Sequence, residues 1–430
     1  MLVECNPSTT TDLVLTQEGR FNYLFFALTA SNEGNKFCRP VVCVDGAHLK
    51  GKYKGMMFTV VCKDDNDSIF PLAWGVGDVE NDSSWLWFFT NFKQVYGDWP
   101  GLVIVSDRHP SIAKVIREIY LGVFHGICMQ HMLHNIKNKF QGISVDMLYY
   151  RCAKAYRLYE FACLINALTL VQSWLGPYLQ EVEYERWSRA YSEGRRYNIM
   201  MTNILECINT TLLKERELPV TALAKEMKSL VQRWHYERRT EAEKCKTRLT
   251  PSIETLLSEQ YQLSIRMRLD LASDTVYTVL DGDKIGVVDL QARTYSCRRF
   301  QLEQRPCAHA MIAIRHSKRD VYDFCSGYYN SSTWKVTYAG VVYPLPHQGD
   351  WVIPNEVRDV KVLPPDIRSV SGRRRKSRIP SIGENAQRHK CSRCRQLGHH
   401  RKTCQNPIPL HESQHSNSSQ LHSSGPSQNV

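Results

Sequence analysis

Two rhythms of apolar residues divide the chain between Arg39 and about Phe140. RPVVCVDG, GMMFTVVCKD and IFPLAWGVGDV are apolar runs of strand length, with the polar stretch Asp64 to Asp67 between the second and third. They predict three consecutive antiparallel strands. The period then changes: Trp85, Phe88, Phe89, Phe92 and Tyr96 recur at helical intervals behind Ser83, a residue suited to capping, so a helix is predicted from about Ser83. LVIVSD reads as a strand, a helix follows from about Pro110, and a short strand and another helix complete the stretch. Strands followed by alternating helices and strands define an α/β layer fold.

From about 140 to 260 the pattern is almost wholly helical, with few Gly or Pro. Within it, MMTNILECIN places Met201, Leu205, Ile208 and Leu212 on an apolar stripe and Thr202, Glu206 and Asn209 on a polar face beside it. Residues 275–300 alternate in strand fashion around the turn Asp281-Gly282-Asp283, and a helix is predicted from Cys307. After about 343 the composition shifts to Pro, Arg and Ser. The Ser/Gln/His-rich stretch from Asn406 lacks the apolar residues that offset ordering entropy and is expected to be disordered.

Charge refines this division. The net charge of +12 is concentrated: residues 370–405 hold eleven Lys or Arg against the single acid Glu384, whereas residues 1–369 carry 44 basic and 41 acidic side chains. Attraction to nucleic-acid phosphates is therefore expected in the late segment. No apolar run approaches the ~20 residues of a membrane span and no signal-peptide pattern opens the chain, so no membrane partner and no secretion are expected. Fifteen cysteines scattered through predicted strands and helices suit reduced thiols and metal ligands better than a disulfide framework.

Several spacings carry chemistry. Asp45 and Asp107 end two apolar runs, a layout that could set two carboxylates side by side on neighbouring strands and hold Mg2+, which takes oxygen ligands. Glu206 is the candidate third acid, with Glu181, Glu183 and Glu193 in reserve. Cys391, Cys394, His399 and Cys404 have the spacing of a CCHC zinc knuckle, a module that binds single-stranded nucleic acid. Cys297, Cys307 and His309 resemble a SWIM zinc finger in which Tyr295 stands at the first cysteine position, with Cys325, His316 or a water as candidates for the fourth ligand. Because its strands and helix can pack without metal, about one tightly held Zn2+ per chain is expected, at the knuckle. Cys128 and His131, three apart at a helix start, could share a ligand or be a buried Cys beside a satisfied His. Arg373, Arg374, Arg375, Lys376 and Arg378 form a basic run suited to nuclear localisation or phosphate contacts.

TDLVLTQEGRFNYLFFAL, RPVVCVDGAHLKGKYKG, PLAWGVGDVENDSSWLWFF, VSDRHPSI, HGICMQHMLHNIK, TNILECIN and the two Cys/His clusters follow one another in an order that resembles the transposases of plant Mutator-like elements, from about Asn6 to Cys404. The resemblance implies a lead-in at 1–38 and an RNase H-like catalytic domain at 39–260 with a helical insertion at about 140–197. It further implies a SWIM-type β-hairpin and helix region at 261–330, a Pro-rich basic linker at 331–385, a zinc knuckle at 386–406 and a disordered tail at 407–430. It implies a DDE triad of Asp45, Asp107 and Glu206, using Mg2+ to cleave and transfer DNA strands in the nucleus, with DNA as partner and a homo-oligomer as one state. Family members carry a longer region before the first acid, and one finger cysteine is replaced. The alternative expectation is a domesticated or truncated copy, similar to the far-red-impaired response proteins, acting as a nuclear DNA-binding regulator without catalysis.

Overall fold

Seven strands build the principal sheet: β1 (Thr10–Leu15), β2 (Phe21–Ala27), β3 (Val41–His48), β4 (Met56–Lys63), β5 (Ile69–Gly77), β6 (Val103–Ser106) and β7 (Phe124–Ile127), in the order β1-β2-β5-β4-β3-β6-β7. Neighbours are antiparallel except β3 with β6 and β6 with β7. This computed structural model describes residues 1–365 apart from Tyr53, Asp359 and the side chains of Asn203, Glu356 and Arg358, together with Cys391, Cys394, Gln396 and residues 404–406. His399, the basic run from Arg373 to Arg378 and the tail from 407 lie outside the described residues. Residues 1–384 and 385–430 form two separate units.

The central strands read as near-continuous apolar runs because the sheet is covered on both faces. On one face, Phe58, Val60 and Ile104 meet Phe88, Phe89 and Ile112 from the helices Asp82–Tyr96 and Pro110–Ile119. On the other, Met57, Val61 and Val105 meet Leu205, Leu223 and Ile253 from the helices Asn203–Thr211, Val220–Lys244 and Pro251–Ser264. The helix predicted from Ser83 is capped two residues earlier: the Asn81 side chain accepts from the Ser84 amide at 2.9 Å, and the Ser84 hydroxyl accepts from the Asn81 amide at 3.1 Å. Asn81 wins because this reciprocal pair satisfies two end groups at once.

Residues 1–38 contribute more than a lead-in. They supply β1 and β2, joined through Gly19 at φ +73°, and β2 pairs with β5. The packed region also passes 331, where a linker was expected. The helix Ser331–Thr337 brings the Trp334 indole and the Tyr338 hydroxyl to donate to the buried Asp64 carboxylate at 3.3 and 2.8 Å, while Thr337 donates to Asp65 at 2.9 Å. Local composition gave no sign of this, because the partners are supplied by the distant β4–β5 turn.

The helical block consists of Asp146–Lys154, Leu158–Val171, Leu175–Glu181 and Tyr184–Trp187, gathered with the helix Met129–Lys139 around Leu133, Tyr149, Phe161 and Trp187. A second sheet follows: β8 (Arg268–Leu271), β9 (Val276–Asp281), β10 (Lys284–Asp289) and β11 (Thr294–Tyr295), in the order β11-β10-β9-β8 and antiparallel throughout. Its inner face packs Tyr277, Val279 and Val288 against Ala310 and Ile314 of the helix Ala308–His316. Among the described residues no helix is long and apolar enough to cross a membrane.

Candidate active site and metal centres

β3 and β6 run parallel with Cys43 opposite Val105, and two positions further along each chain stand Asp45 and Asp107. Adjacent strands lie about 4.8 Å apart, so the register sets the two acids side by side at one sheet end. Asp107 is buried, and one of its oxygens accepts from the His109 amide at 2.9 Å, closing the turn into the helix Pro110–Ile119. An acid that caps a turn can still present its second oxygen to a ligand.

The helix Asn203–Thr211 crosses this sheet end. Leu205, Ile208 and Leu212 are buried in the sheet core, whereas Thr202, Glu206 and Asn209 follow the polar face. Asn209 donates to Asp45 at 3.2 Å, and the exposed Glu206 accepts from Gln130 at 3.3 Å. Asn209 thus ties the helix bearing Glu206 to the strand bearing Asp45. Glu206 does not join Asp45 and Asp107 in a tight ligand group: among the described residues, three candidate metal ligands lie within 4.8 Å of one another at the two cysteine clusters alone.

Cys128 and His131 hold the start of the same helix. The Thr202 amide donates to the Cys128 thiol at 3.2 Å, and the Thr202 hydroxyl lies 3.3 Å from His131 Nδ1. Burial disfavours charge on both residues, yet their mutual hydrogen bond and charge outweigh it. The Cys128 thiol is lowered and His131 is raised to about 10, with Asp45 and Asp107 adding to the latter. The pair brackets two helix starts at the edge of the acid site.

A further acid, Glu80, escaped the sequence reading. Its carboxyl is pushed up to about 8 by burial and then by the negative charge of Asp107 and Asp45. The Trp85 indole donates to it at 3.3 Å, and a methyl group on Gly46 would come within 3.2 Å of its Oε1. The available signal was directional: β5 ends at the same sheet end as β3 and β6, and its run IFPLAWGVGDV is followed at once by Glu80. An all-oxygen set with crowded negative charge is the chemistry a hard divalent cation relieves, so the donors fit Mg2+.

Cys297, Cys307 and His309 gather within 4.8 Å, with the two thiols 3.8 Å apart. A hydrogen bond with Cys307 pulls the Cys297 thiol down to about 5. This donor set fits zinc. Neither proposed completion reaches it: Cys325 donates to the Val321 carbonyl at 3.7 Å, and His316 stands edge-on to Tyr277. Cys325 is turned into the packing beside the finger helix, and His316 lies at that helix's far end. In the second unit, Cys391, Cys394 and Cys404 are buried and gather within 4.8 Å, and Asn406 donates to Cys394 at 3.5 Å. Three converging sulfurs likewise could hold zinc.

Residues 41–135 match the MULE transposase domain. The matched span begins at β3 and contains Asp45, Glu80, Asp107, Cys128 and His131. It supports a Mutator-like transposase, and a transposase domain implies interaction with DNA. Among curated proteins, none matches the chain.

Proposed function

We propose that the protein is a DDE-type enzyme that cleaves and joins DNA strands, with Asp45, Asp107 and Glu206 as its acidic triad on an RNase H-like sheet. One observation carries the reading: Asp45 on β3 and Asp107 just past the end of β6 each follow the parallel pair Cys43 and Val105 by two residues, and Asn209 hydrogen-bonds Asp45 from the helix that bears Glu206. The order β5-β4-β3-β6-β7, with three antiparallel strands followed by two parallel ones, supports the RNase H-like assignment.

In this reading Asp45 and Asp107 are fixed by the sheet, and Glu206 reaches them by a side-chain rotation on an exposed helix face. These carboxylates would hold Mg2+, and the chemistry supplied there would be activation of a water or 3′-hydroxyl and stabilisation of the leaving oxygen. Asn209 orients Asp45, the His109 amide orients Asp107, and the Cys128–Thr202–His131 bracket holds the start of the Glu206 helix. The knuckle and the basic segment before it supply the phosphate and single-strand contacts that retain DNA, and their Lys/Arg content suits a nuclear address.

The test is Mg2+-dependent cleavage of DNA carrying the ends of the element from which the gene derives. The purified chain is expected to nick that DNA, and Asp107→Asn to abolish nicking while still binding it. Binding without cleavage by the unsubstituted chain would overturn the enzymatic reading.

A further inference from the structure

Strand alternation puts Tyr277, Val279 and Asp281 of β9, Gly286 and Val288 of β10, and Tyr295 of β11 on one face, with Cys297 in the turn that follows β11. That face is the covered one, where Tyr277, Val279, Gly286, Val288 and Tyr295 are buried under the helix Ala308–His316. Asp281 is the carboxylate at the end of that face, directly across from the exposed Lys284. Its Oδ2 lies 3.5 Å from His309 Nε2; the atoms that gather within 4.8 Å of one another are those of Cys297, Cys307 and His309, so the Asp281 carboxylate has to turn to reach the two sulfurs as well.

Two features of His309 require an explanation. Both ring nitrogens are shielded from solvent without a well-formed hydrogen bond, and the groups beside them are the Asp281 carboxylate and the Cys297 thiol. A buried imidazole left so costs free energy unless another partner takes its lone pair. Tyr295, at the position of the missing cysteine, does not fill that role: its ring stacks on the imidazole, centroids 4.1 Å apart at 18°, and its hydroxyl lies over Gly286. Tyr295 therefore sets the plane of the ring and leaves the fourth direction to Asp281.

We propose that Asp281 replaces the absent cysteine as the fourth ligand of a zinc site formed with Cys297, Cys307 and His309. The inference rests on reading this cluster as a zinc site and is independent of strand transfer. Structural zinc takes four ligands, and carboxylate oxygen is an accepted one beside sulfur and imidazole. The carboxylate comes from the neighbouring hairpin rather than from the Cys-x-Cys strand, so the ion would fasten β9, β11 and the helix start together. The expectation of about one zinc per chain accordingly becomes two.

The experiment uses the full chain carrying Cys391→Ser, which removes the knuckle's contribution, with zinc and Co2+ as probes. One zinc per chain should remain, and Asp281→Asn should weaken it at least tenfold in chelator competition. Asp281→Cys should retain the metal and raise the thiolate-to-Co2+ charge-transfer band by about half, as two thiolates become three. The folding of each variant is read from its circular dichroism, and Asp281→Cys serves as the rescue if Asp281→Asn loosens the finger. A metal-free Cys391→Ser chain, undiminished zinc affinity in Asp281→Asn, or an unchanged Co2+ band in Asp281→Cys each overturns the proposal; the last would leave Asp281 outside the coordination shell.

Discussion

Asn209 donates to Asp45 across 3.2 Å of space and 164 positions of sequence. The bond joins the sheet to the helix that carries Glu206, so it should matter to activity beyond its contribution to stability. Asn209→Ala is expected to lower stability by about 1 kcal/mol, the usual net value of such a bond. Mg2+-dependent nicking should fall further, by about tenfold, because a displaced ligand misplaces the reacting groups. Urea unfolding and a single-turnover cleavage assay separate the two effects; equal nicking by both proteins would show that the Glu206 helix is held without this bond.

Gly46 offers a second probe of the acid site. A Cβ there would approach Met56 Cε to 3.0 Å and Glu80 Oε1 to 3.2 Å. Met56 is buried in the sheet core and Glu80 only partly so, and Gly46→Ala should therefore displace the Glu80 carboxylate at a stability cost below about 1.5 kcal/mol. If Glu80 helps retain the divalent cation, the variant will need several-fold more Mg2+ for half-maximal nicking. A Mg2+ titration of both proteins reads this directly, and coincident curves would confine Glu80 to a structural role.

The pair Asp64–Asp65 predicts a pH dependence. Burial, then the charge of Asp64, pushes the Asp65 carboxyl from 3.8 up to about 8. The folded state keeps a proton that the unfolded state releases, so this contribution to stability is complete below about pH 4 and is lost as pH rises through about 8. Asp65→Asn should remove that slope, with a difference on the order of 3 kcal/mol accumulating between pH 5 and pH 8. Urea denaturation across that range is the measurement. Parallel stability profiles for the two proteins would mean that Asp65 is ionised in the native state.

The late basic segment should dominate non-specific binding. Removing residues 370–405 takes away eleven Lys or Arg and the knuckle cysteines. Affinity for an arbitrary DNA is expected to fall, and the slope of log K against log salt should lose about one unit per phosphate contact removed. Fluorescence anisotropy at several salt concentrations reads the slope. An unchanged slope would place the contacts in residues 1–369.

The α/β architecture was legible because its signals are local: the apolar runs of β3 to β6 and the helical stripe Trp85, Phe88, Phe89 and Phe92 state their own periods. The place of Asp107 just past β6 was legible for the same reason, as was the exposed Glu206. Asp45 was expected at a strand end but lies inside β3, which runs on to His48, and Thr202 is buried against Cys128 and His131. Glu80 and Asp281 were not legible, since each matters through neighbours from another strand. The reach of the packed region past 331 was hidden too. Trp334 and Tyr338 look unremarkable until Asp64, hundreds of residues earlier, supplies the acceptor.

That last pairing sets a timetable for the growing chain. Asp64 is made early, but the indole that hydrogen-bonds it follows 270 residues later. At about 5–20 residues per second this interval is roughly 15–55 s, during which the β4–β5 turn must keep an acid that its finished surroundings exclude from water. Until Trp334 and Tyr338 emerge, the nascent sheet carries an open apolar flank beside that acid. A transcript cut short after the finger would leave this flank open for good, and its product would be a client for chaperones and proteases.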